Sequence, residues 1–232
     1  MAPLKLYLSQ ANQGHNAGPG GYTEKAGMDA IIRSLVRIFA EDPRFVVKHN
    51  VAGQRIDTAQ ENVAEANAWG AERYVALHSN AGMRGTIVFY HSGSPKGLKM
   101  AEAIYKEVAG LSPGAESGDR TREWDGLIEI HGPDAPAVLV ELEAHDWKIG
   151  VDWLTGKRPA IAQALYEGIC RGVGLEPKDS FAVDYRPLKR AAIAVADQLK
   201  IPHGAVDADA RGKGAAFETL LRAIAGHQDS ST

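Results

Sequence analysis

Ala137-Val138-Leu139-Val140-Glu141-Leu142-Glu143 is the stretch that decides the fold. Four apolar residues in succession, without polar alternation, describe a strand covered on both faces, as in the centre of a parallel sheet. The run then ends in two acids, Glu141 and Glu143, two positions apart, so both should share one face if the strand extends that far. On its N-terminal side, residues 86–90 read as a strand, 95–109 as a helix and 112–125 as a polar loop. Residues 74–77 form a second buried strand, running directly into His78, Ser79 and Asn80.

Nearer the N-terminus, residues 4–8 form a first core strand that leads into a polar, Gly-rich loop over 9–22. Thr23 is a good N-cap, and Met28, Ile31, Ile32, Leu35, Val36 and Phe39 recur at helical spacing, so a helix is expected over 24–40, ended by Pro43. A strand over 45–48 and an Ala-rich helix over 58–69 follow, and a helix over 159–173 closes the domain. Strands alternating with helices imply an α/β fold, a twisted and mostly parallel sheet with helices on both faces, whose sites lie beyond the carboxyl ends of the strands. The catalytic domain should span 1–176. Residues 177–232 should form a linker and a small helical appendage, with helical patterns over 188–199 and 215–225.

Composition narrows the function classes. The 26 basic and 29 acidic side chains leave a net charge of -3, which provides no positive field for nucleic acid or anionic lipid. No stretch is long and apolar enough for membrane insertion, and no oligomer is indicated. Residues 1–8 lack the apolar run and cleavage site of a secretory signal, so the expected route is synthesis in a host cytoplasm followed by release, or another export route. Cys170, the only cysteine, lies in an apolar helical run as a structural thiol.

The polar clusters at the strand ends bring His15, Glu24, His78 and Glu141 into consideration together. Two His and one Glu meet the requirement of a hydrolytic zinc site with an open fourth position, and a separate carboxylate would serve as general base. Spacing alone leaves this open, because the ligands are dispersed and no HExxH motif is present. For His15 the plain alternative is an exposed turn residue, for Glu24 a first-turn acid on the helix dipole, and for His78 a core-edge histidine. Asn80, Glu143 and His145 are candidates for orienting substrate or ligands, while His49, His91 and His131 read as surface residues. Gly18, Gly20 and Gly21 lack the context of a phosphate loop, and Trp124 and Trp147 read first as packing residues.

The segments Leu6-Tyr7-Leu8 to His15, Tyr22-Thr23-Glu24-Lys25, Val75 to Ala81, Gly85 to Tyr90 and Pro136 to Glu141 occur in the order of the landmarks of the Amidase_3 family. Over about residues 4–174 the chain resembles these zinc-dependent N-acetylmuramoyl-L-alanine amidases of bacteria and their phages. The resemblance implies that His15, Glu24 and His78 hold Zn2+ and that Glu141 is the catalytic carboxylate. Peptidoglycan would be the substrate, cut between N-acetylmuramic acid and L-alanine. The first motif departs from the family's usual Asp-Pro-Gly-His-Gly-Gly turn, since Ser9-Gln10-Ala11-Asn12-Gln13-Gly14 precedes His15. Val-Leu-Val-Glu-Leu followed by His145-Asp146 is similar to a phage-like and Clostridium-like subset, which suits an endolysin. The alternatives are another zinc peptidase of the wall, or a wall-binding protein that kept the fold without catalysis.

Overall fold

The computed structural model describes residues 2–10, 15–50, 58–115 and 121–178. Its strands are β1 (Leu4–Gln10), β2 (Phe45–His49), β3 (Arg73–Asn80), β4 (Ile87–Tyr90), β5 (Thr121–Glu123) and β6 (Ala137–Ala144). They form one sheet in the order β2-β1-β3-β6-β4-β5. Neighbours are parallel except β4, which runs antiparallel to β6. The fold is therefore α/β with a mostly parallel sheet. The apolar runs are explained by position: Leu6 to Leu8 of β1, Tyr74 to Leu77 of β3 and Val138 and Val140 of β6 are all buried in strands interior to the sheet. On the edge strand β2, Val46 remains 43% exposed.

The helices are α1 (Glu24–Ala40), α2 (Ala59–Trp69), α3 (Pro95–Val108), α4 (Ile128–His131), α5 (Lys148–Gly156) and α6 (Arg158–Gly172). Thr23 caps α1 by accepting from the Ala26 amide. Thr58 and Glu61 form a reciprocal capping box at the start of α2, and Gly70 ends that helix in the left-handed region at φ 70°. Helix α6 packs against both α1 and α3, and Gly168 permits the close approach to α3, since a Cβ there would stand 2.5 Å from the Ile104 Cα. Across the sheet, α2 and α4 cover a core of Tyr7, Val63, Tyr74, Phe89, Ile130 and Leu139. Tyr7 and Tyr74 stack there with ring centroids 5.4 Å apart.

An ion pair between the part-exposed Arg44 and the buried Asp42 locks the turn after α1. The Asp42 carboxylate accepts from Arg44 Nη2 at 2.6 Å and from the Tyr166 hydroxyl at 3.0 Å, fastening the entry of β2 to α6. Burial opposes its charge, but the hydrogen bonds from Arg44 outweigh that and hold the carboxyl well below the ordinary range.

Three features differ from the sequence expectation. The polar loop expected over 112–125 contains β5, whose three residues are too few to show a period, and which pairs with β4. Helix α4 is a single turn, and α5 begins at Lys148 without a side-chain cap, so neither carries a start signal. The interior strands run further than expected, β1 to Gln10 and β6 to Ala144, because polar residues at their ends still find buried partners. The chain divides into two units, Met1–Lys178 and Asp179–Thr232, of which only the first falls among the described residues. The helices expected over 188–199 and 215–225 lie outside the described residues. No helix among the described residues is long and apolar enough to cross a membrane.

Candidate active site

Because β1, β3 and β6 are parallel neighbours, their carboxyl ends meet at one edge of the sheet, where the following helices begin. His78 and Glu141 are register partners on adjacent strands, and an irregularity in pairing follows between His78 and Asn80. Glu24, the first residue of α1, reaches the same edge. Its carboxylate is 1% exposed, accepts from the Ser79 amide at 2.9 Å and from Asn16 Nδ2 at 2.6 Å, and lies 3.2 Å from His78 Nδ1. The other ring nitrogen, Nε2, lies 2.8 Å from Glu129 on α4. The imidazole is thus held between two buried carboxylates.

Glu141 completes the group without joining the hydrogen bonds. Its Oε2 is buried with no hydrogen-bond partner, and the residue lines a cavity of about 400 Å³ together with His15, His78, Glu129, Leu139 and Thr58. Burial pushes the Glu141 carboxyl up to about 7; the His78 charge pulls against this, and Glu24 and Glu129 push the same way as burial. Burial would strip His78 of its proton, but its bonds to Glu129 and Glu24 hold it protonated well above its ordinary range. In Glu24 and Glu129, burial is likewise outweighed by His78, and both carboxyls are held below their ordinary values. One carboxyl poised near neutrality beside two that stay ionised divides the roles: Glu141 can exchange a proton, and the others supply fixed negative charge.

The structure treats the sequence candidates unequally. Glu24, His78 and Glu141 come together. His15 lines the same cavity but is exposed, in a turn beyond the sheet edge. Among the described residues no group of three or more His, Cys, Asp or Glu side chains is arranged to hold a metal ion. The expected convergence of His15, Glu24 and His78 is therefore reduced to the Glu24–His78 pair, since Glu129 takes the remaining ring nitrogen of His78. Glu143, expected to orient substrate or ligands, is fully buried and does not line this cavity. It accepts from Ser112 Oγ and from the amides of Gly85, Gly114 and Ala144, fastening two loops to β6. His145 is also buried, with Nδ1 2.8 Å from the Ser79 carbonyl oxygen, so it braces the end of β3 rather than facing the cavity. Asn80 accepts from the Ala81 amide at 2.7 Å, a turn contact.

Sequence reading passed over Glu129. A signal was present: an acid between Ile128 and Ile130 in an otherwise apolar turn is buried only when it is partnered. Its Oε1 accepts from Ser9 Oγ at 2.5 Å and from the Tyr74 hydroxyl at 2.7 Å.

Solved structures share this fold. An amidase of Mycobacterium smegmatis, Ami1, superposes with a TM-score of 0.65 at 17% identity, over 75% of this chain and 98% of that one. The amidase AmiC2 of Nostoc punctiforme gives 0.63 at 17% identity, covering 73% and 97%. The catalytic domain of CD27L, an endolysin targeting Clostridia Difficile, gives 0.60 at 20% identity, covering 72% and 97%. A search of curated proteins gives no match. The Amidase_3 family, described as N-acetylmuramoyl-L-alanine amidase, matches residues 9–171. That match runs from the end of β1 into the last turn of α6, well over half of the chain, and this protein therefore belongs to the Amidase_3 family of N-acetylmuramoyl-L-alanine amidases.

Proposed function

We propose that the chain hydrolyses the amide bond between N-acetylmuramic acid and the L-alanine of the peptidoglycan stem peptide, with Zn2+ held by His15, Glu24 and His78 and with Glu141 as general base and acid. The observation that carries the reading is the unpartnered Glu141 carboxylate beside the Glu24–His78 pair in one cavity. The donor set suits zinc. Imidazole and carboxylate are zinc donors, and His78 Nδ1 and Glu24 Oε1 stand 3.2 Å apart in the site, so these two would hold the ion. His15 lines the same cavity and would be the third donor.

Zinc bound there supplies the Lewis acidity that polarises the amide carbonyl and acidifies water to a pKa of about 7. Glu141 takes the proton of the attacking water and returns it to the departing alanine nitrogen, so that the C–N bond breaks to a neutral amine. Its position near neutrality serves both halves of that transfer. Glu24 stays ionised and holds His78 in place. Lytic use against a bacterial wall, as in an endolysin, is the setting we favour.

The test is digestion of purified peptidoglycan followed by mass spectrometry of the muropeptides. Stem peptides released with a free L-alanine amine support the reading. Shortened peptides still attached to sugar would make the chain a peptidase of the same fold, and no soluble products would make it a binding protein.

A further inference from the structure

A second cavity, of about 400 Å³, adjoins the first turn of α1. Thr23 lines it, while the next residue, Glu24, belongs to the candidate active site, and neither His78 nor Glu141 reaches it. Its two walls are distant in sequence: the loop from Pro19 to Thr23 on one side, α5 and the start of α6 on the other. Gly20 and Gly21 leave the first wall open to approach, since a Cβ at either would meet nothing within 4 Å.

The opposite wall carries the charge. The lining holds two cations, Lys148 and Arg158, and one acid, Asp152. That acid is already taken by Lys148 Nζ at 2.7 Å, an exposed pair one turn apart on α5. Arg158 is left with no acid of its own in the lining, and its Nε is buried with no hydrogen-bond partner among the described residues. Burial pushes the Tyr22 hydroxyl up to about 12, and the Ser79 hydroxyl and the Arg158 charge pull against it, so the phenol lies within the field of the guanidinium and keeps its proton at neutral pH. A guanidinium is a planar fork of donors that matches the two oxygens of a carboxylate. The lining is also one positive charge in excess, which suits a monoanion better than a phosphate dianion. Pro19, Ala26 and Val151 are apolar and suit a small uncharged body behind that charge.

We propose that this cavity is a second binding site, for a carboxylate at the end of a short peptide or acylated small amino acid. Arg158 takes the carboxylate, and the apolar residues hold the part behind it. The site depends neither on a metal nor on the bond that is cut beside Glu141. The sequence hid it, because the glycine loop and Arg158 meet only when α5 and α6 fold back beside α1.

The test is titration of the full chain with N-acetyl-L-alanine, followed in 1H–15N spectra that include the arginine Nε–H signals, with Arg158 assigned by its loss in Arg158→Gln. The amides of Gly20 and Gly21 and the Arg158 Nε–H should shift together. N-acetyl-L-alaninamide, the same body without the charge, should bind about tenfold more weakly or worse, a comparison that needs no variant. Arg158→Gln should weaken N-acetyl-L-alanine by a similar factor. Equal binding of acid and amide, shifts confined to the cavity of Glu141, no binding, or an affinity in Arg158→Gln within about twofold of wild type each overturns the proposal. Inorganic phosphate binding more tightly than N-acetyl-L-alanine at the same signals overturns the assignment to a carboxylate. None of these readouts is turnover, so they stand or fall apart from the amide cleavage proposed above.

Discussion

Replacing Glu141 by Gln should make the metal-stripped protein more stable at alkaline pH while abolishing turnover. The carboxyl rises from an ordinary value of 4.5 to about 7 on folding, chiefly through burial. Ionising it in the fold is then disfavoured by about 3 kcal/mol relative to the unfolded chain. The folded value lies above the unfolded one, so the group's contribution to stability is fully present below about pH 4.5. It is lost as pH climbs through about 7. Glutamine is neutral throughout and escapes that loss. Urea unfolding in chelator at pH 4.5 and pH 8.5 should show the difference between variant and parent growing by about 3 kcal/mol, or roughly 6 to 12 °C in melting temperature. Against purified peptidoglycan the variant should retain zinc and lose nearly all activity, since only proton transfer is removed. A stability difference that does not change with pH would refute the claim that Glu141 is a desolvated carboxyl in this cavity. Wild-type activity in the variant would refute its role as base.

Glu143→Ala leaves the donors of Ser112 and Gly85 buried without their acceptor, and should cost about 2 to 3 kcal/mol in urea unfolding with zinc affinity unchanged; a stable variant with impaired substrate binding would restore Glu143 as a substrate contact. Asp42→Asn should cost about 2 kcal/mol at pH 7 by calorimetry. Because the folded carboxyl is held below its ordinary 3.8, its stabilisation is present above that pH and is lost as the pH falls, so the gap between variant and parent should close in acid and not in base. Burial pushes the Cys170 thiol up to about 11. A thiol reagent at pH 8 should therefore label it only on the timescale of unfolding, and rapid labelling in the native state would contradict its buried position on α6.

Much of the architecture was legible in the chain because the interior strands are apolar on both faces. Ala137 to Val140 and Tyr74 to Leu77 could only be central, and Thr23 and Thr58 mark helix starts through side-chain oxygens that act on adjacent amides. Local chemistry of this kind needs no knowledge of the remainder of the molecule. His78, Glu24 and Glu141 were legible for a related reason, since polar residues at the carboxyl ends of buried strands, or at the first turn of the next helix, fall at one edge of a parallel sheet. What the chain alone left undecided was partnership. Glu141 and Glu143 share an alternation and look equivalent, yet one ends with an unpaired oxygen in a cavity and the other is consumed by loop amides 29 and 58 residues away. Glu129 is unremarkable in a four-residue helix until β1 and β3 bring Ser9, Tyr74 and His78 to it. Burial of a charge is set by neighbours distant in sequence, and only the packed sheet determines which acid is satisfied and which is left to react.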